Sequence, residues 1–290
     1  MIRLGVRLGE QLGIRLGMLL GEGLGVAMVC VLVGNGASAQ SASTLYANVL
    51  DRRGVPAAMR DTGPEGHQRF SPLFDHGSWH GYLLPEDTSS YGAFTGPMVV
   101  AEEYSVYLAS ALERLAIIDA DGKARDWGRA QVTVWSSPGV LRQRYQFADL
   151  AVTMTLRFAS ARTAVITTTL TDLSGHARRL RLRWSGALLD QWDRSGRTVA
   201  QAYPSWTREV TAGRDGIDIA LGRVRDPVAL MLAAGAGLHL RRSVTTTTKL
   251  DHLRYASESV PLPLERSGTL TVLTTETFVC LLYTSDAADE

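Results

Sequence analysis

The stretch RRLRLRWSG, residues Arg178–Gly186, decides the fold class of this chain. Apolar and charged residues alternate along it, with the period of two that places successive side chains on opposite faces of a β-strand. The apolar face consists of Leu180, Leu182 and Trp184, and the other face consists of Arg179, Arg181 and Arg183. Because a shift by one residue would bury three arginines without partners, the register of this strand is well specified.

The same period recurs along most of the chain after about residue 99. It is clearest in LAVTMTLRF, residues Leu150–Phe158, and in GTLTVLTTETFV, residues Gly268–Val279. The segment VVAEEYSVYL, residues 99–108, is predicted as one further strand. Short clusters of turn-forming residues separate these segments, and no helical period lies between them. The sequence therefore predicts an all-β fold, a large antiparallel β-sandwich, rather than βαβ units.

The segment from Gln40 to Pro97 departs from this pattern. Glycine, proline, histidine and aromatic residues are dense there, and the alternation is lost. We expect long, ordered N-terminal loops with short strands, carried by the rigid sandwich. Loops of this kind often hold binding residues.

The two ends of the chain are predicted to lie outside the domain. An apolar run at residues 24–33, followed by the small triplet ASA at 37–39, is typical of a secretory signal peptide, which we place at residues 1–39. We therefore expect a periplasmic or secreted protein that has no contact with a membrane after signal cleavage. The last residues, CLLYTSDAADE at 280–290, resemble the translation of a sequencing adapter, so the native sandwich is expected to span residues 40–279.

Composition excludes several classes of function. The 290 residues include 30 basic and 29 acidic ones, so the charge balance gives no support to a nucleic-acid partner. Cys30 lies in the predicted signal peptide, and Cys280 lies in the predicted foreign tail. The predicted domain therefore has neither a disulfide nor a cysteine metal site.

Candidate site residues concentrate in HQRFSPLFDHGSWHGYLLP, residues His67–Pro85. One interpretation is a sugar-binding surface, because aromatic faces stack on pyranose rings while charged side chains bond to hydroxyls. A second is a metal site at the HxxxH spacing of His76 and His80, although glycines and prolines there oppose the helix that this spacing needs. A third is structural, with aromatic residues plugging the core beneath a loop. The candidates for contact with sugar or with another domain are Arg69, Asp75, Trp79 and His80.

No catalytic residue or metal ligand is predicted within the chain. Glu102 and Glu103 are adjacent, and neighbours in a strand face opposite sides of a sheet, so these two carboxylates cannot flank one glycosidic bond. The sequence also has no G-x-S-x-G nucleophile elbow and no reactive cysteine in the predicted domain.

Three stretches of this sequence resemble the N-terminal domain of bacterial YgjK-type α-glucosidases, which belong to glycoside hydrolase family 63. They are HQRFSPLFDHGSWHGYLLPE at residues 67–86, YGAFTGPMVVAEEY at 91–104 and ASALERLAIIDADGK at 109–123. Asp75, Trp79 and His80 fall in the family-like run D-x-G-x-W-H-G. Similarity extends from about residue 45 to residue 279.

The resemblance implies a secreted, inverting α-glucosidase of small gluco-oligosaccharides, whose N-terminal β-sandwich packs against an (α/α) barrel. It implies that both catalytic carboxylates and a calcium loop belong to the barrel, whose motifs do not occur here, and that the sandwich itself needs no cofactor. The expected partners are therefore that barrel and an oligosaccharide. The alternative is a stand-alone, lectin-like carbohydrate-binding sandwich without hydrolase activity.

Overall fold

A computed structural model describes residues 46–58, 71–101, 104–189, 200–202, 208–213, 216–221 and 237–279. Within these ranges the chain forms seventeen β-strands in three sheets and two short 3-10 helices, Pro56–Ala58 and Trp127–Arg129. We number the strands β1 to β17 in chain order. The all-β prediction is confirmed.

The largest sheet has eight strands among the described residues, and every neighbouring pair is antiparallel. From one edge to the other they are β11 (Arg208–Gly213), β12 (Gly216–Leu221), β13 (Gly237–Arg242), β17 (Thr269–Val279), β8 (Thr163–Asp172), β7 (Leu150–Ser160), β6 (Val140–Gln146) and β5 (Gln131–Ser137). Burial alternates along these strands as the sequence does: every second residue of β8 is buried. The predicted strands at residues 150–158 and 268–279 are confirmed as β7 and β17.

The second sheet has five described strands and is also antiparallel. Its main path is β14 (Thr246–Asp251), β15 (Arg254–Ser259), β9 (Arg178–Ala187) and β16 (Leu262–Leu264), while β4 (Arg114–Ile118) also pairs with β9. The register predicted for β9 is confirmed, since its leucines and its tryptophan are buried. On the opposite face, Arg181 and Arg183 share the carboxylate of Glu258 on β15, at 2.9 and 2.6 Å.

The third sheet corrects one prediction. It contains β1 (His80–Leu83), β2 (Thr95–Ala101), β3 (Tyr104–Tyr107) and β10 (Ala200–Ala202), and β10 runs parallel to β3. Residues 99–108, predicted as one strand, belong to two, because Ala101 of β2 pairs with Tyr104 of β3 in an antiparallel ladder. Periodicity missed the reversal since the alternation is the same on both sides of it. Glu102 and Glu103 lie outside the described residues.

The inner faces of the eight-stranded and five-stranded sheets pack together, as in a β-sandwich. One hydrophobic cluster joins Val152 and Ile166 of the larger sheet to Leu182 and Trp184 of the smaller one. A second cluster lies under β12, β13 and the end of β17, where Phe278 is buried. Truncating a buried leucine in such a core costs about 2–5 kcal/mol.

Candidate functional site

The candidate residues Asp75, Trp79 and His80 lie in one short segment but do not form a common site. Asp75 stabilises a tight turn, in which the backbone N–H of His76 donates to its carboxylate over 2.8 Å. Its carboxylate also lies beside Gly139 in the turn between β5 and β6. Arg69, the fourth candidate, lies outside the described residues.

Trp79 and His80 are packed inwards. The Trp79 ring is half-buried and contacts Phe278 edge-on at a centroid distance of 4.8 Å. His80 is fully buried, with the Phe278 ring 4.5 Å and the Phe158 ring 5.2 Å away. Burial lowers the pKa of His80 to about 4, so its imidazole is neutral at physiological pH.

His80 belongs to a group of buried ionisable side chains between the sheets, which we call the inner charged cluster. Its members are His80, Tyr82, Glu113, Arg242 and Glu276. Arg242 pairs with Glu113, and both side chains are almost completely buried. The Arg242 guanidinium also lies 5.1 Å from the centroid of the Trp184 ring.

Several polar atoms of the inner charged cluster have no hydrogen-bond partner among the described residues. They include both ring nitrogens of His80, Glu113 Oε2, and Arg242 Nε and Nη1. Burial raises the pKa of Glu276 to about 7 and lowers that of Arg242 to about 10. Burial and the nearby Glu276 carboxyl raise the pKa of Tyr82 well above its usual value. Burial in a low-polarity environment is therefore the largest cause of these three pKa shifts.

A second group of charges has the opposite character, and we call it the arginine network. It consists of Arg125, Arg178, Asp119, Asp149 and Asp172. Arg125 bridges Asp119 and Asp149, each at 2.7 Å, and Arg178 binds both Asp149 and Asp172. Hydrogen bonds from Arg125 hold the pKa of Asp149 well below its usual range, and the Ser174 hydroxyl does the same for Asp172.

The arginine network lines a surface cleft, the arginine cleft, which has a volume of about 790 Å³. Its walls include Asp119, Asp121, Arg125, Asp126 and Arg178. The walls are therefore largely ion-paired.

A further surface cleft, which we call the serine cleft, has a volume of about 1040 Å³. Its polar walls include Ser89, Ser110, Ser185, Asp251, His252 and Arg254. None of the candidates Asp75, Trp79 and His80 lines either cleft. Sequence reasoning missed the serine cleft because its walls come from chain segments that are distant in sequence. The only local signal was the turn-like DHLR at residues 251–254.

The described residues contain no group of three or more His, Cys, Asp or Glu side chains placed to hold a metal ion. None of the described helices has the length and hydropathy to cross a membrane.

The packed eight-stranded and five-stranded sheets define the class of this protein as a large antiparallel β-sandwich domain. The sequence matches the family described as "Glucosidase YgjK, N-terminal" over residues 51–289. The chain therefore belongs to this family of glucosidase N-terminal domains, and the predicted resemblance is confirmed. The match extends into residues 280–289, whose foreign origin stays a prediction.

Solved structures resemble this fold only distantly. A protein from the human microbiome, described as a kojibiose phosphorylase, has a TM-score of 0.41 and 12% identity over 73% of this chain and 31% of its own. A protein from Escherichia coli K12, described as an aldose 1-epimerase, has a TM-score of 0.43 and 11% identity over 72% of this chain and 98% of its own. A polysaccharide lyase has a TM-score of 0.46 and 10% identity over 71% of this chain and 33% of its own. These scores carry no conclusion about substrate.

Proposed function

We propose that this chain is the non-catalytic N-terminal β-sandwich of a secreted, inverting α-glucosidase that acts on small gluco-oligosaccharides. The family match over residues 51–289 carries the proposal, because the family is the N-terminal part of a glucosidase. In this proposal the general acid, the general base and a calcium loop belong to an (α/α) barrel on further polypeptide. The signal peptide at residues 1–39 directs the protein to the periplasm or the medium.

The surface clefts support a non-catalytic role. Inverting hydrolysis needs two carboxyl groups about 6.5–9.5 Å apart, with space for water between one of them and the sugar. Among the described residues of the serine cleft, Asp251 is the single carboxylate. In the arginine cleft, Asp119, Asp121 and Asp126 each accept a hydrogen bond from neighbouring groups of the chain. In the part of the chain that the structure describes, neither cleft offers two free carboxylates.

We propose further that Asp75, Trp79 and His80 serve the fold rather than sugar contact. The packing of Trp79 and His80 against Phe278 supports this role. The bond from the His76 backbone to Asp75 supports it for the turn. The Trp79→Ala change in a full-length glucosidase of this family should then lower stability and leave KM and kcat unchanged.

Glucose release tests the proposed function. Long-read resequencing of the locus should reveal a barrel-encoding continuation, and the longer product should release glucose from nigerose, kojibiose or trehalose. Inversion predicts that the glucose released from the non-reducing end of nigerose or kojibiose appears first as the β-anomer in the NMR spectrum. The present chain alone should release no glucose above the blank.

Two outcomes would overturn the proposal. The first is glucose release by the present chain that disappears when one of its own carboxylates is changed. The second is a stop codon near residue 279 in independent reads, which would favour the stand-alone carbohydrate-binding sandwich.

A further inference from the structure

We propose that the serine cleft is a carbohydrate-binding site that takes a neutral gluco-oligosaccharide. The inference deepens the proposed function and rests on it for the identity of the sugar. It assigns to this domain a binding site of its own. The cleft volume of about 1040 Å³ is of the size of small-molecule pockets, which measure about 300–1,000 Å³. More than one hexose unit can therefore be accommodated.

Five polar side chains of the serine cleft are free to bond to a ligand. In the part of the chain that the structure describes, no hydrogen bond or ion pair engages the side chains of Ser110, Ser185, Asp251, His252 and Arg254. Charged side chains at a protein surface commonly find partners, as those of the arginine cleft do. The serine cleft thus holds donors and acceptors that its own fold does not use.

The pairing of β14 and β15 places two opposite charges close together at the edge of the serine cleft. Asp251 and Arg254 are directly opposed in the antiparallel register and flank a turn of two residues. Their side chains nevertheless form no ion pair among the described contacts. The carboxylate and the guanidinium are therefore available to the same ligand.

The chemistry of these groups fits a sugar better than an ion. A carboxylate accepts hydrogen bonds from hydroxyls, and a guanidinium donates several to hydroxyl or ring oxygens. Since Asp251 repels anions and Arg254 repels cations, a neutral polyhydroxy ligand satisfies both. Serine hydroxyls, which both donate and accept, add contacts that suit a ligand of the same kind.

The cleft is held in shape by buried anchors beneath its polar rim. The Leu188 backbone N–H donates to the Leu253 carbonyl over 2.9 Å, which ties the turn after β14 to the end of β9. The Tyr255 hydroxyl donates to the Leu112 carbonyl beneath the cleft. A Cβ added at Gly186 would lie 2.1 Å from that same carbonyl, so the floor requires glycine there. Rigid support of this kind favours binding, because less freedom is lost when the ligand is held.

Arg114 supports the opposite wall. Its Nε donates to the Tyr91 carbonyl over 2.9 Å, and its Nη2 donates to the Thr88 carbonyl over 3.0 Å. These bonds hold the segment that carries Ser89 against β4. Arg114 is therefore a positioning residue, whereas Asp251 and Arg254 are the proposed sugar contacts.

The proposal is tested by titrating the full chain with nigerose and kojibiose while recording two-dimensional NMR spectra. We expect saturable binding with a Kd on the order of 1 mM, typical of a small polar ligand with few contacts. Asp251→Asn and Arg254→Ala should each weaken binding about tenfold, since each removes a hydrogen bond to a charged group. Arg129→Ala, at an exposed arginine of the arginine cleft, is the matched control and should change the Kd less than twofold.

Asp251→Asn and Arg254→Ala should both keep the wild-type Tm, because the changed side chains are exposed and unpaired. The proposal is overturned if no saturable binding occurs, or if both variants bind as tightly as the wild type. Sugar binding without glucose release by the longer gene product would contradict the proposed function alone. Glucose release by that product without sugar binding by this chain would contradict the cleft assignment alone.

Discussion

The arginine network and the inner charged cluster contain the same kinds of residue in opposite circumstances. In the arginine network, Arg125 and Arg178 hold three aspartates at the rim of a cleft. In the inner charged cluster, Arg242 and two glutamates lie between the sheets, and several of their polar atoms have no partner among the described residues. Local composition does not distinguish the two groups, but their surroundings do.

The difference is expressed in the direction of the pKa shifts. Pairing lowers the pKa of Asp149, so its contribution to stability is present above its ordinary value of 3.8 and is lost as the pH falls. Burial raises the pKa of Glu276 to about 7, so its contribution is present below its ordinary value of 4.5 and is lost as the pH rises through 7. The Asp149 contribution to stability is therefore lost in acid, whereas the Glu276 contribution is lost as the pH rises towards the alkaline range.

The largest expected effect comes from breaking the buried pair of Arg242 and Glu113. Arg242→Met should lower the free energy of unfolding by about 3–5 kcal/mol at pH 7, because it leaves the Glu113 carboxylate buried without its cation. Urea denaturation monitored by tryptophan fluorescence measures this change.

A double variant is the matched control. Arg242→Met combined with Glu113→Leu removes both charges, and we expect it to be more stable than Arg242→Met alone. A double variant that is as unstable as the sum of the two single variants would show that the pair is not coupled.

The next effect concerns the pH dependence of Glu276. The shift from 4.5 to about 7 corresponds to roughly 3 kcal/mol that favours the folded state at pH 4 and disappears above pH 7. Glu276→Gln removes this pH-dependent contribution of the carboxyl group. The stability of the variant relative to the wild type should therefore rise as the pH increases from 4 to 8. Urea titrations at intervals of pH measure the difference, and a constant difference would contradict the assignment.

His80 makes the opposite contribution in the same range. Its pKa falls from 6.5 to about 4, so the stability it contributes is present above 6.5 and is lost as the pH falls through 4. His80→Gln should therefore become more stable relative to the wild type as the pH decreases from 7 to 4. The same urea titrations check this sign.

A smaller effect is expected in the arginine network. Arg178→Ala should lower the free energy of unfolding by about 2 kcal/mol, since Arg178 is mostly buried and joins Asp149 to Asp172. Arg129→Ala, whose side chain is 85% exposed, is the matched control and should change stability by less than about 0.5 kcal/mol. Equal effects of the two changes would show that burial does not distinguish the Arg178 ion pairs from the exposed pair of Arg129.

The smallest effect on stability is expected at Arg254 in the serine cleft. Arg254→Ala should change the free energy of unfolding by less than about 0.5 kcal/mol, because the side chain is exposed and has no partner among the described residues. Thermal unfolding measures it. A marked loss of stability would show that the Arg254 side chain stabilises the folded state and would contradict its assignment as a free sugar contact.

Much of the fold was predictable because strand periodicity is a local property. The inward leucines of β9 and the long strand β17 followed directly from alternation. The boundary between β2 and β3 did not, since a chain reversal leaves the alternation unchanged. The candidate loop was recognised from its composition, yet the inward packing of His80 depends on Phe158 and Phe278, which come from distant strands.

The sequence by itself determined the all-β class, the buried face of β9, and the resemblance to glucosidase N-terminal domains. These properties depend on neighbouring residues and on the period of two. Only the tertiary structure decided that Arg178 is paired while Arg254 is free, and that Glu276 is buried beside Arg242. The physical reason is that pairing and desolvation depend on which strands lie side by side and which sheet covers them.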